Sequence, residues 1–316
     1  MKKNTKFFLK KNIKYNLIKS NKKNLRKSRF IDNDFFNKVF ACYEVNDKFK
    51  NNQLENKIIS KLKKIKSYDV VIILDYGHGF FTKKIIQYIE KNAKFIALNT
   101  QTNSANLGYN LVTKYKKANL VCIDEPEARL AVSDKESELK IVAKKIFDSF
   151  NKIENLIITR GKNGSYSYNK KFNSFTPVFS KNVVDTMGAG DAFISISALA
   201  SKVEKDIELV SFIGNAVGSL HANIIGNKTS VSKAELINFI DTLLVWISMA
   251  TNIPKKILVL GGGGYIGTEL VEKLAKMNHL VRVFDLFIYG NNIVNFKNIE
   301  IIKGDIRSKE DIKKIF

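Results

Sequence analysis

Cysteine is nearly missing: the 316 residues hold only Cys42 and Cys122. They lie far apart with no histidine nearby, which excludes a disulfide framework and argues against a zinc site. Long hydrophobic runs are missing too. The best candidate, LLVWISMA at 243–250, falls well short of the roughly 18 apolar residues that a membrane span needs, and the N-terminus has no continuous apolar segment of the kind a signal peptide carries. A reduced, cytoplasmic protein without a membrane partner is expected. Acids are absent from residues 1–30, which carry ten Lys and two Arg and so supply about half of the net charge of +23. A basic excess suggests nucleic acid, yet no finger, basic zipper or aromatic RNA-binding motif accompanies it. Its Lys is mixed with abundant Asn and Ile, as in the coding of AT-rich genomes. Only salt-sensitive, sequence-blind attraction to polyanions is expected, with no specific nucleic-acid partner.

What is present is the makings of a globular core, with 45% hydrophobic residues. Strand-length apolar runs at 69–75, 94–99, 119–124 and 155–160 alternate with helical spacing at 82–92, 134–150 and 205–224, which predicts an α/β fold with a parallel sheet and helices on both faces. A second strand series begins after Pro254, with SMATNIPKK as the boundary. Three regions follow: a basic Lys/Asn-rich tail at 1–27, a larger domain at 28–250 and a smaller one at 251–316.

The stretch NVVDTMGAGDAF at 182–193 sits between a β-rich segment and a helical pattern. Gly188, Ala189 and Gly190 leave backbone N–H groups uncovered where a helix begins, and the helix dipole adds to them, so the site favours an anion. Asp191 in the first turn could take a proton from an attacking hydroxyl. The plainer reading, in which the glycines permit a tight turn and Asp191 complements the dipole, stays open on these residues alone.

The run Asp-Thr-x-Gly-Ala-Gly-Asp resembles the C-terminal signature of the PfkB/ribokinase family of carbohydrate kinases. TRGKNGS at 159–165, DEPEARLA at 124–131 and LDYGHGFFT at 74–82 resemble further segments in that family's order, the last being similar to its heptose-phosphate kinases. The resemblance implies a ribokinase-like three-layer sandwich and ATP-dependent phosphoryl transfer to a sugar or sugar-phosphate. Asp191 would be the base and Gly188, Ala189 and Gly190 the cradle. Thr159, Gly161, Gly164, Asp185, Thr186 and Asn215 would serve ATP, Asp185 and Thr186 by setting up the loop, and Glu127, through metal-bound water, and Asp124 would serve magnesium, Asp124 standing where the family usually has Asn. His78, between two glycines, could face the sugar, and His221 reads as packing or surface. The family's signature follows a long N-terminal part that holds the acceptor. Here it begins at residue 185, after the basic tail and a segment similar to the family's lid and crossover. The expectation is therefore an incomplete sandwich, slow transfer by these residues alone, and a homodimer or a complementing kinase half as partner.

KKILVLGGGGYIGTELVEKLAKMNHLVRVFD at 255–285 reads strand, glycine turn, helix, strand. Gly261, Gly264 and Gly267 let a backbone approach a pyrophosphate, and Asp285 stands where an acid can bind the adenosine ribose. With IIKGDIRS following, this resembles the opening of the extended short-chain dehydrogenase/reductase family of NAD-dependent epimerases and dehydratases. By that resemblance, Asp305 and Ile306 would lie along the adenine and NAD would be the cofactor of a truncated Rossmann segment. No Tyr-x-x-x-Lys follows residue 267, so no redox turnover is expected. A non-catalytic fusion of two sugar-pathway gene fragments is the third reading.

Overall fold

A computed structural model describes residues 13–16, 18, 26–31, 38–44, 52–102, 106–180, 183–250 and 254–314. Most of the basic tail at 1–27 lies outside them, as does Asn182 of the signature stretch. Contacts divide the chain into two compact units, Met1–Ser232 and Lys233–Phe316, each of which has its own sheet.

In the first unit, strands β1 (Arg26–Ile31) and β2 (Lys38–Glu44) form an antiparallel pair, across which Phe30 and Phe40 stack with ring centroids 4.2 Å apart. Helix α1 (Asn52–Lys61) follows. The main sheet has β3 (Val71–Asp75), β4 (Ile96–Thr100), β5 (Lys117–Asp124), β6 (Lys152–Thr159), β7 (Ser165–Tyr168) and β8 (Asn173–Thr176), neighbouring one another in chain order. β3 to β6 run parallel, as expected from the alternation with helices, but β7 and β8 return antiparallel. The reason is length: a parallel crossover needs a dozen or more residues, whereas only the short turn around Gly161–Asn163 separates β6 from β7.

The side-chain period of two makes the sheet buried on both faces. Ile96, Leu98, Val121, Ile123, Leu156 and Ile158 share a core cluster with residues of α2 (Lys83–Asn92), α3 (Glu125–Ala131) and α4 (Leu139–Asp148). Ala97, Leu120, Cys122 and Ile157 join Phe193, Ile194 and Ala198 of α5 (Ala189–Val203) and Ile207 and Val210 of α6 (Ile207–His221). The result is a three-layer α/β/α sandwich. Each buried Ile or Leu contributes about 1.5–3 kcal/mol, so the sheet is a stiff platform for whatever projects from the carboxyl ends of its strands.

The second unit opens with α7 (Lys233–Ala250). Strands β9 (Lys256–Leu260), β10 (Leu280–Asp285) and β11 (Ile299–Lys303) form a parallel sheet in the order β11-β10-β9. Helix α8 (Tyr265–Lys276) crosses between the first two strands, burying Val271, Leu274 and Ala275, and α9 (Lys309–Ile312) ends the described part. The order is that of the opening half of a doubly wound parallel sheet. Among the described residues no helix is long and apolar enough to cross a membrane.

Candidate phosphoryl-transfer site

The first unit has a cavity of about 540 Å³ between the carboxyl ends of the parallel strands and the start of α5. It gathers most of the residues singled out in the sequence: Asp124, Glu127, Thr159, Gly161, Gly164, Thr186, Gly188, Ala189, Gly190, Asp191 and Asn215. These come from four separate stretches of chain. Open α/β sheets place ligands at the carboxyl ends of their strands, and here a helix N-terminus faces the same space.

Gly188 caps α5 with φ 84°, a left-handed conformation that a side chain makes costly. It turns the chain so that α5 starts at Ala189, whose own N–H is taken by Thr186 O at 3.2 Å, leaving the N–H groups of Gly190 and Asp191 without helical partners. The preceding loop is tied down on both sides. Asp185 accepts hydrogen bonds from Met187 N at 2.9 Å and Gly226 N at 2.9 Å, while the backbone N–H groups of Val184 and Asp185 donate to Ala222 O. Asp185 therefore does not line the cavity; it holds the loop that does. His221, read as packing or surface, is buried, with Nε2 3.2 Å from Met187 O, and so braces the glycine turn from the core side.

Glu127 is buried, and Asp124 caps α3 in a reciprocal box. Asp124 accepts from Glu127 N at 2.7 Å, and Glu127 accepts from Asp124 N at 3.0 Å and from Thr102 N at 2.7 Å. Burial, followed by the neighbouring Asp124 charge, pushes the Glu127 carboxyl up to about 7. Asn215 is also buried, its amide donating to Ser165 Oγ at 2.6 Å and Ser211 O at 3.1 Å.

Asp191 has a partner that sequence spacing could not reveal. Tyr76 Oη donates to Asp191 Oδ1 at 3.1 Å across 115 residues of chain. The Asp-Tyr-x-x-Gly segment was the available signal, but nothing in its spacing points to residue 191. Asn99, Gln101 and Lys162 also line the cavity without having been singled out. His78 is not among its lining residues.

In the second unit a crevice of about 410 Å³ opens at the carboxyl ends of the strands, lined by Gly261, Gly264, Asp285 and Ile306 among others. Asp285 accepts from Gly263 N at 2.9 Å and Phe287 N at 2.7 Å. Gly267 lies behind the turn, where an added Cβ would collide with Gly261 O; it permits close packing of helix on turn. Asp305 does not line the crevice. Its hydrogen bonds to Arg307 hold the carboxyl down near 2, the guanidinium Nη2 lying 2.7 Å from Oδ2.

Fold and cavity define a class, the α/β sandwiches whose ligand cavity lies at the carboxyl ends of parallel strands and faces a glycine-led helix start. Residues 12–234 match the pfkB family carbohydrate kinase model, and the chain belongs to that family. Residues 258–316 match the 3-beta hydroxysteroid dehydrogenase/isomerase family. Among curated proteins, the bifunctional protein HldE of Sulfurimonas denitrificans is 27% identical over 61% of this chain and 40% of its own length. HldE of Aliarcobacter butzleri is 30% identical over 53% of this chain and 35% of its own. The matched region thus spans two fifths or less of these relatives. The ribokinase of Giardia lamblia superposes with a TM-score of 0.61 at 15% identity, covering 76% of this chain and 79% of that one. The Arabidopsis thaliana ribokinase complexed with ribose and ATP gives 0.53 at 12% identity, with 68% of each chain covered. The fold of the larger unit is ribokinase-like.

Proposed function

We propose that the larger unit transfers the γ-phosphoryl group of ATP to a hydroxyl of a sugar or sugar-phosphate. The observation that carries this reading is the convergence of Asp191, the Gly188–Gly190 turn, Thr159, Gly161 and the Asp124–Glu127 pair on one cavity. Asp191 takes the proton of the acceptor hydroxyl, whose oxygen forms a bond to the γ-phosphorus. The bond from that phosphorus to the bridging oxygen breaks, and ADP leaves with the electron pair. Uncovered N–H groups at the start of α5 stabilise the charge on the moving phosphoryl oxygens. One such preorganised donor is typically worth about 2.7–4 kcal/mol.

The residues present fit magnesium. Mg²⁺ usually keeps several waters and uses one or two carboxylates plus substrate phosphates, and both Glu127 oxygens already accept backbone N–H bonds, which suits holding metal-bound water. Asp124 and Glu127 would be its protein donors, and the ion would neutralise phosphate charge during transfer.

The likeness of residues 74–82 to heptose-phosphate kinases, together with the HldE relatives, favours a heptose-phosphate acceptor. The test is ADP release by the purified chain across heptose-phosphates, fructose-phosphates and ribose. Sugar-stimulated turnover that Asp191→Asn abolishes while leaving ATP binding nearly intact supports the reading; equal turnover by variant and parent defeats it.

A second reading concerns the smaller unit alone. Its crevice, with the glycine turn at one end and Asp285 at the other, fits the adenosine half of NAD. That group carries hydride when bound; the residues here would only hold it. Saturable binding of NAD by the chain, without redox turnover, is the expected result.

A further inference from the structure

The two carboxylate oxygens of Asp191 are not equivalent. Oδ1 receives the Tyr76 hydroxyl at 3.1 Å, and an ionised carboxylate can only accept, so the phenol supplies the proton of that bond. Tyr76 is itself held in place. The peptide that precedes it belongs to Asp75, which is buried at 2% exposure and ends β3. The Asp75 carboxylate takes Gly77 N at 3.0 Å, Tyr115 Oη at 2.8 Å and Lys114 Nζ at 2.5 Å. Asn110 Nδ2 donates to Asp75 O at 2.9 Å, and Asn106 Nδ2 donates to Tyr76 O at 3.0 Å. Backbone on both sides of Tyr76 is therefore fixed by groups from the segment after β4, and its hydroxyl is delivered to a helix that begins more than a hundred residues later.

We propose that Tyr76 is a positioning residue for the base: its hydroxyl anchors Oδ1 of Asp191 and so reserves Oδ2 for the proton of the acceptor. This rests on the assignment of Asp191 as base in phosphoryl transfer. Base catalysis depends on geometry first, and a carboxylate that rotates about its terminal torsion offers either oxygen in many directions. A single donor locks that torsion. Burial, then the charge and hydrogen bond of Asp191, push the Tyr76 phenol up to about 12, so it remains a donor throughout the neutral range.

The experiment uses the full chain with carbon-13 in its aspartate carboxyl groups. The Asp191 resonance is identified by its loss in Asp191→Asn. In Tyr76→Phe, which keeps the ring, that resonance should change its chemical shift, because the hydrogen-bond donor to Oδ1 has been removed. Asn106→Ala, which keeps the hydroxyl but loosens the Tyr76 carbonyl, should shift it the same way by less. In the sugar assay, Tyr76→Phe should lower kcat about tenfold or more while leaving the KM for ATP unchanged, as expected for a small misplacement of a reacting group. An Asp191 resonance left unmoved in Tyr76→Phe overturns the proposal whatever the activity, and so does unchanged kcat where Asp191→Asn abolishes turnover. If Asp191→Asn transfers phosphate as well as the parent, the reading of the site has failed, and the resonance still decides whether Tyr76 holds the carboxylate.

Discussion

Two helices in this chain begin behind glycine turns, and their acids are used in opposite ways. At the start of α5 the acid, Asp191, lies in the first helical turn and lines the cavity it would serve. At the start of α8 the first turn holds no acid. The acid of that site, Asp285, ends the next strand, and both of its oxygens accept backbone N–H groups, from Gly263 and Phe287. An acid beside the cradle can take part in chemistry on a phosphate, whereas an acid a strand away can only recognise what the phosphate is attached to. On the proposed reading, the same anion-binding physics would serve a reaction in one unit and recognition in the other.

The sharpest way to break that contrast is a crossed substitution. Asp191→Asn should reduce phosphoryl transfer by about 100-fold to 10,000-fold, the range for loss of a general base, whereas Asp285→Asn should leave transfer within experimental error. Steady-state rates on the same sugar panel check both. A loss of transfer in Asp285→Asn would mean that the smaller unit takes part in the kinase reaction.

A second contrast concerns the glycines themselves. Gly190 has open space where a side chain would go, while an added Cβ at Gly267 meets Gly261 O and the Gly262 backbone. Gly267→Ala should destabilise the smaller unit by about 1–3 kcal/mol, the usual cost of overpacking. Gly190→Ala should melt no earlier than the parent, because alanine favours a helix by about 1 kcal/mol over glycine. Its effect should appear instead as a raised KM for ATP. Thermal melts followed by circular dichroism separate the two, and early melting of Gly190→Ala would refute the assignment of that position to the cradle surface.

Much of this was legible in the residues. Alternating runs such as those at β4 and β5 are two-sided, with Leu98 and Ala97 packing into different clusters, and the period of two reveals that directly. The turn at Gly188 was legible because few residues other than glycine take a positive φ directly before a helix, and the turn before α8 because its glycine run stands between a strand and a helical pattern. What stayed hidden is what the chain brings together from a distance. The Tyr76–Asp191 bond joins residues 115 apart, and no local spacing encodes it. Asp305 stood inside a recognisable motif, yet its carboxylate is taken up by Arg307, while the loop role expected of Asp185 is made through partners, Met187 N and Gly226 N, of which the second lies outside the motif. A motif marks a segment; which of its side chains faces the ligand depends on neighbours that a motif does not contain.

The carboxylates of the two units also differ in sign under acid and base. Glu127 is buried beside Asp124 and is pushed up from 4.5 to about 7, so the native protein keeps a proton that the unfolded chain releases. Its contribution to stability is full below about 4.5 and is lost as the pH rises through about 7. Asp305, held near 2 by Arg307, behaves oppositely: its contribution is present above its ordinary value and is lost as the pH falls toward 2. Glu127→Gln cannot ionise, so denaturant midpoints in magnesium-free buffer should fall less between pH 4.5 and pH 8 in this variant than in the parent. Parallel curves for the two proteins would show that Glu127 ionises normally in the folded state.

The smallest effect should be seen at Asp285, and it tests whether the second site recognises a ribose at all. A carboxylate has about four lone-pair positions, and the bonds from Gly263 N at 2.9 Å and Phe287 N at 2.7 Å occupy one on each oxygen. Enough capacity remains to accept a ribose hydroxyl, while a 2′-phosphate would meet a like charge. The parent should therefore bind NADH more tightly than NADPH. In Asp285→Asn one acceptor oxygen is replaced by an amide, which loses one tie to the turn and gains a donor that a phosphate can use. A hydrogen bond of this kind is worth about 0.5–1.5 kcal/mol, so the preference should shrink by about tenfold or less, through weaker NADH binding and slightly stronger NADPH binding. Fluorescence titrations of both nucleotides at fixed ionic strength measure the ratio. A ratio unchanged by the substitution would mean that Asp285 serves only to tie the Gly263 and Phe287 backbone, and that the crevice has no means of telling the two nucleotides apart.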